Sequence, residues 1–355
     1  MNSNIKYINI NDLRSIFRDD NIIMVVDHNV YNNYKYIFLG YEDRVILVGD
    51  ESANDIISDC REVVKDFRTF DYVCNELTNR KATKNTHLYG IGGGGLTDLV
   101  GFLGSVYLRG VKVSFVPTTL LAMVDASIGG KNAINIGTIK NALGTIYPPE
   151  NVYITTQFLD NSPQDLLFNG FAEILKIGLL FDINLLNDCF LFLDSKDENK
   201  DKLNEIITKS ITHKIKIISE DSLNNRAFLN FGHTIGHSLE LEYNLSHGNA
   251  IAIGMIYESQ IAVLLNLIDI CIFNEISRTI TRYFNYNIED YDLVKSADKI
   301  LLDKKITGNK IITPVITEIG RAKLVEIKLN DFINCISMKF NLSTKNNMAY
   351  QSSLS

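Results

Sequence analysis

The chain contains no tryptophan, and its five cysteines, Cys60, Cys74, Cys189, Cys271 and Cys335, are odd in number and widely spaced. No CxxC pair occurs, so neither a disulfide framework nor a cysteine-held zinc site is indicated, and a reducing cytoplasm is the simplest home. A long uninterrupted apolar run is missing too. The most apolar stretch, 251–273, is broken by Glu258, Gln260, Asn266 and Asp269, which reads as a buried helix and not a membrane span. The opening MNSNIKYINI has no basic region leading into an apolar run, so no signal peptide is expected. Lysines and arginines never gather into a block, and the formal charge is -7, which gives no nucleic-acid footprint. An anionic substrate stays open, because a few cations converging in a cleft dominate locally. No internal repeat is present.

What remains is an ordinary globular balance, 46% apolar and 22% charged over 355 residues. That length exceeds the size at which one hydrophobic core stops growing, so two domains are expected, 1–157 and 158–342, followed by a polar, frayed tail over 343–355. In the first, short apolar runs at Asn21–Asp27, Arg44–Val48, His87–Ile91 and Lys112–Val116 read as buried parallel strands. Amphipathic stretches such as Asp59–Phe67 lie between them, and the alternation predicts an α/β domain. From about Phe158 the period becomes 3.6 and β-branched strand runs become scarce, which predicts a mainly α-helical second half.

Four glycines, Gly92-Gly93-Gly94-Gly95, follow the strand His87–Ile91 and precede a helix expected to start near Leu96. Such a turn can bring backbone N–H groups and a helix N-terminus to a phosphate, or can simply be a tight helix–strand turn. The spacing is not GxGxxG, so an ordinary dinucleotide fingerprint is not implied. Pro117-Thr118-Thr119, Asp125, Gly129-Gly130-Lys131 and Lys140-Asn141 place hydroxyls, a carboxylate, lysines and an amide at strand ends or in glycine-rich loops, where α/β sheets bind ligands.

His233 and His237 are four residues apart and share a helical face. His247 begins the next helical segment, so three of six histidines fall within fifteen residues. An HxxxH pair alone is more often a surface pair or a satisfied core pair. The third histidine, with Glu173 at the start of a long apolar helix, shifts the reading toward a three-ligand metal site with an open position. Lys176, one turn past Glu173, with Lys214 and Arg226 ahead of His233 on the same helical region, would ring that metal with cations suited to an anionic substrate.

The runs GGGGLTDLVGF, Arg109-Gly110, PTTLLAMVDASIGGK, Lys140-Asn141, GFAEILK, RAFLNFGHTIGH and His247-Gly248, with Asp303-Lys304-Lys305 and Ile319-Gly320, together resemble the 3-dehydroquinate synthase family over residues 20–325. The resemblance implies an α/β NAD-binding domain joined to a helical metal-binding domain. It implies NAD bound by Glu51, Gly93, Gly94, Asp98, Thr118 and Thr119, with Asp125, Lys131, Lys140 and Phe158 beside it. Glu173, His233 and His247 match the ligands of zinc, with cobalt as a substitute. Asp125, Lys131, Asn141, Lys176, Lys214, Arg226, Asn230 and His237 match substrate-site residues. Arg109 resembles an arginine that crosses a homodimer interface to the neighbouring phosphate site, joined by one of Lys304 and Lys305, taken as Lys304.

The implied reaction converts 3-deoxy-D-arabino-heptulosonate 7-phosphate to 3-dehydroquinate and phosphate, with NAD regenerated in each turnover. Departures from the family are Asn54 three residues after Glu51, Asn161-Ser162 after the domain junction, and a shortened 219–225 loop. Sister cyclases acting on sedoheptulose 7-phosphate or glucose 6-phosphate need no carboxylate-binding arginine. A metal-dependent polyol dehydrogenase, a different class, gives no reason for so many anion-binding cations. A non-catalytic protein retaining the fold would have no use for the metal triad and Lys131.

Overall fold

The computed structural model describes residues 3–49, 64–137, 139–160, 162–195, 199–220, 225–284, 291–293, 295, 306–307 and 309–337. Glu51, Asn54, Asn161, Asp303, Lys304, Lys305 and the tail over 343–355 lie outside them.

Strands β1 (Asn4–Tyr7), β2 (Ile22–Asp27), β3 (Val45–Val48), β4 (His87–Gly92) and β5 (Lys112–Pro117) are followed by a hairpin of β6 (Lys131–Ile136) and β7 (Ile139–Ile146), and then by β8 (Asn151–Ile154). Six of these form a parallel sheet in the order β1-β8-β5-β4-β2-β3. Residues Ile22 to Val26 are all buried, as are Leu88 to Gly92 and Val113 to Pro117. Strands covered on both faces need continuous apolar runs, and for that reason these were legible in the sequence. The edge strand β1 is mostly exposed and carries no such run.

Among helices of eight residues or more, α1 (Phe67–Asn79) and α2 (Gly94–Val106) flank the sheet. The second half contains α3 (Gln164–Phe181), α4 (Ile183–Asp194), α5 (Lys200–Ser219), α6 (His233–Tyr243), α7 (His247–Leu264) and α8 (Ile270–Thr281). Strands β9 (Ile306–Thr307), β10 (Lys310–Glu318) and β11 (Arg321–Lys328) and helix α9 (Leu329–Ser337) complete the described chain.

Five expectations are corrected. Lys131, Lys140 and Asn141 lie on the paired β6–β7 hairpin, not in loops; β7 is half exposed and glycine-bearing, so its sequence lacks an apolar strand pattern. Strand runs are not scarce to the end, since β10 and β11 pair antiparallel about a turn at Gly320, whose φ is 83°. Glu173 stands well inside α3, because the helix starts at Gln164, just after Pro163 has fixed the entry. Lys214 and Arg226 do not share one helix: α5 ends at Ser219, and Arg226 lies in the 3-10 turn Asn225–Asn230. The helix after the glycines also begins at Gly94, two residues ahead of Leu96.

Helix α7 is buried from Ala250 to Ala262 on every side, as a helix apolar all round should be. Its backbone nearly touches α6. A Cβ on Gly254 would stand 2.0 Å from the Gly232 carbonyl oxygen, and one on Gly236 would stand 2.8 Å from that of Ala250. One apolar core runs from Ile10 through the sheet to Ile319. No helix among the described residues is long and apolar enough to cross a membrane.

Candidate active site

Three elements bring one carboxylate and two imidazoles together. Glu173 projects from the middle of α3, while His233 and His247 are the first residues of α6 and α7. Nε2 of each histidine lies 3.5 Å from Oε1 of Glu173. That oxygen is buried and has no hydrogen-bond partner. The three ligand atoms fall within 4.8 Å of one another. Ligands of tetrahedral zinc at their usual bond lengths stand about 3.3 Å apart, so this set needs little movement to close on an ion. An orphaned carboxylate oxygen between two imidazoles is the donor chemistry that a divalent metal satisfies.

The charges around it are tuned accordingly. Burial alone would raise the Glu173 carboxyl, but Lys176 and His247 outweigh it and hold it at about 2. His247 mirrors this: burial disfavours its charge, yet Glu173 and Glu240 raise the imidazole to about 10. In the metal-free protein, then, a proton on His247 supplies the positive charge that a metal would bring. Glu240, on α6, places Oε2 3.7 Å from Nδ1 of His247 and receives Lys140 Nζ on Oε1 at 3.0 Å.

Other expected residues gather near by. Lys176 is almost wholly buried and pairs with Glu173, also donating to the Leu229 carbonyl at 2.8 Å. Lys214 donates to the Asp125 carboxylate from α5 across to the short helical turn Ala122–Ala126, and Lys214 outweighs burial to lower the Asp125 pKa. The His237 ring lies 5.1 Å from that of His233 and 6.3 Å from that of His247. Arg226 and Asn230 are half-buried in the turn that leads into α6. Asn141 has φ 52°, with its N–H held by Asn135 Oδ1 at 2.8 Å.

The glycine turn divides its duties. A Cβ on Gly92 would meet Leu96 at 2.9 Å and one on Gly94 would meet Ala126 at 3.0 Å, so packing accounts for both. Gly93 is different: its nearest neighbour would be Thr119 at 3.5 Å, and no side chain caps the start of α2. That leaves a helix N-terminus with room for an anion beside Thr119. Thr118 is buried and ties its N–H to the Gly92 carbonyl at 2.9 Å. Asp98 pairs with Lys65, and Phe158 is buried with its ring edge-on to Tyr34. Arg109 is exposed in a turn where Leu108 and Arg109 both have positive φ, and Lys84 Nζ clasps the carbonyls of Leu108, Arg109 and Gly110.

Sequence reading missed Glu240, Glu258, Lys65 and Asn135. Glu240 had one local signal, its position three residues beyond His237 on the same helical face. Glu258 was visible only as an ionisable residue interrupting an apolar helix.

Both the fold and the sequence have known relatives. A solved 2-epi-5-epi-valiolone synthase from Streptomyces hygroscopicus, with NAD+ and Zn2+ bound, superposes with a TM-score of 0.72 at 20% identity, covering 95% of this chain and 96% of that one. A 2-deoxy-scyllo-inosose synthase complexed with carbaglucose-6-phosphate, NAD+ and Co2+ gives 0.73 at 23% identity, covering 94% and 95%. These share the fold. In sequence, a 3-dehydroquinate synthase of Picrophilus torridus is 36% identical over 322 residues, covering 88% of this chain and 89% of its own. The family models described as 3-dehydroquinate synthase N-terminal and C-terminal match residues 56–169 and 170–306 in succession. With both models matched in order and a relative aligned over nearly its whole length, the chain belongs to the 3-dehydroquinate synthase family.

Proposed function

We propose that the chain is a 3-dehydroquinate synthase, a cytoplasmic lyase of the shikimate pathway that converts 3-deoxy-D-arabino-heptulosonate 7-phosphate to 3-dehydroquinate and phosphate. The carrying observation is the buried Glu173 Oε1, which accepts no hydrogen bond within ordinary geometry and is set 3.5 Å from two imidazole nitrogens. Glu173, His233 and His247 would hold zinc or cobalt. Gly93, Gly94, Asp98, Thr118 and Thr119 would hold NAD, in a first domain over 1–157 that faces the metal-bearing second domain. When bound, the metal would supply Lewis acidity toward a substrate hydroxyl, and NAD would supply reversible hydride transfer. The NAD+ and Zn2+ or Co2+ in the two related solved structures support both cofactors.

The chain's own residues position and discharge the substrate. Lys131 and Asn141 on the hairpin, with Arg109 from a second copy in a homodimer, grip the phosphate that leaves. Arg226 and Lys214 face the substrate carboxylate. Lys214 already carries the Asp125 carboxylate, so the larger share falls to Arg226. His237, one turn beyond His233, relays the hydroxyl proton, and Lys176 keeps Glu173 ionised.

The test supplies zinc- and NAD-loaded protein with the seven-carbon keto acid phosphate or, separately, with sedoheptulose 7-phosphate. Phosphate release and reduced-nicotinamide absorbance are followed together. Release from the keto acid alone, with no net reduced nicotinamide, is expected. Turnover of sedoheptulose 7-phosphate with the keto acid ignored would reassign the chain to a sister cyclase, and stoichiometric reduced nicotinamide would make it a dehydrogenase.

A further inference from the structure

Glu258 lies in the middle of α7 and is 5% exposed. Its carboxylate instead takes backbone N–H groups at the start of α6. Oε2 accepts from Gly232 at 2.9 Å, while Oε1 accepts from Thr234 at 3.0 Å and Ile235 at 3.4 Å. The helix has no side-chain cap of its own: its N-cap is Gly232, at φ 77°. Glu258 therefore does from a neighbouring helix what a local cap residue ordinarily does.

The Gly232 N–H belongs to the same peptide unit as the Phe231 carbonyl. That carbonyl is 3.1 Å from Nδ1 of His233. A carbonyl only accepts, so Nδ1 carries the hydrogen, and Nε2, which lies 3.5 Å from Glu173 Oε1, is the nitrogen that would reach a metal. A continuous path results: the Glu258 carboxylate, the N–H and C=O of one peptide, then the two nitrogens of His233. A carboxylate on the N–H end polarises the peptide and strengthens its carbonyl as an acceptor, which fixes the orientation of the imidazole. There is also a charge argument. The N-terminal end of a helix has roughly half a positive charge, which repels a cation bound by its first residue. The buried carboxylate of Glu258 offsets that repulsion.

We infer that Glu258 is a positioning residue for the metal site, acting on His233 through the Phe231–Gly232 peptide and setting both the affinity for the metal and the orientation of this ligand. The inference rests on the metal reading of Glu173, His233 and His247.

Full-length wild type, Glu258→Gln, Glu258→Asp and Glu173→Gln are stripped of metal and titrated with zinc against a competing chelator. Separate samples are loaded with cobalt for visible spectroscopy, and the melting temperature of each metal-free protein is recorded. Glu258→Gln keeps the shape but removes the charge and sets an amide NH2 against one of the backbone N–H groups that the carboxylate receives; it should bind zinc about 10–100-fold more weakly, in the range of partners that orient a ligand from behind. Its cobalt bands should shift, and Glu258→Asp should recover part of both losses. Wild-type zinc affinity and an unchanged cobalt spectrum in folded Glu258→Gln would overturn the inference. A lowered melting temperature with both metal readouts intact would do so too, since Glu258 would then be a helix cap and nothing more. If neither Glu258 variant folds, the residue serves folding and the inference fails. A wild type that binds no zinc, or binds it unchanged after Glu173→Gln, would bring down the metal reading itself.

Discussion

Adding a single methyl group to Gly254 should displace His233, a proposed metal ligand that it does not touch. A Cβ there would stand 2.0 Å from the Gly232 carbonyl oxygen, whereas real Cβ contacts essentially never fall under 3.0 Å. The obstacle is backbone, so no side-chain rotation relieves it, and α6 must retreat from α7 by at least about 1 Å, as overpacked elements do. His233 is the first residue after Gly232 and moves with it, while His247 stays with α7. Replacing a helical glycine by alanine should gain about 1 kcal/mol from propensity, against roughly 1–3 kcal/mol or more lost to overpacking. The net effect on melting is therefore modest, and the effect on the site is not. A misplacement of about 1 Å typically costs on the order of 100-fold in turnover. Gly236→Ala provides an internal scale, because its Cβ would encroach less, to 2.8 Å from the Ala250 oxygen. Zinc affinity by chelator competition and phosphate release should fall in the order wild type, Gly236→Ala, Gly254→Ala. Wild-type affinity and turnover in Gly254→Ala would refute the claim that this seam sets the ligand spacing.

Two further outcomes are expected. Zinc binding should strengthen with pH, since His247 is protonated below about 10 in the metal-free protein and must surrender that proton, while Glu173 is ionised above about 2 and contributes no slope; chelator competition from pH 6 to 8 should show about a tenfold gain per unit, and a flat profile would contradict the pairing of His247 with its two carboxylates. Arg226→Ala should lower kcat/KM on the keto acid phosphate by roughly 2–5 kcal/mol, or about 30- to 5,000-fold, as expected when a charged partner is left alone; steady-state kinetics check this, and retained kcat/KM would remove Arg226 from the carboxylate's partners.

The sequence announced the parts whose physics is local. Residues 22–26 and 113–117 must be apolar throughout because both faces of their strands are covered, and His233 and His237 meet because four residues make one helical turn. What it hid are arrangements made by other elements. Asn135 and Asn141 face each other only once the hairpin closes, and Asn-Gly-rich alternation resembles a loop until then. Glu258 meets Gly232 across 26 positions; in the sequence it only disqualified a membrane span. The β10–β11 hairpin was the avoidable omission, since Ile-Ile-Thr-Pro-Val-Ile-Thr followed by a glycine turn is a strand signal that the helical reading of the second half overrode.

The clasp that Lys84 makes on the Leu108, Arg109 and Gly110 carbonyls bears on how the chain assembles. It closes a loop of 24–26 residues that contains β4 and α2 and ends just before β5 begins at Lys112, within one strand–helix–strand crossover. Closure over so short a stretch costs little chain entropy compared with the β1–β8 pairing, which joins Asn4 to Asn151. The crossover thus has low contact order and its own fastening, and it can be in place before either end of the sheet arrives. The turn with two left-handed residues, strained when considered alone, is held by the same cation that fastens the crossover.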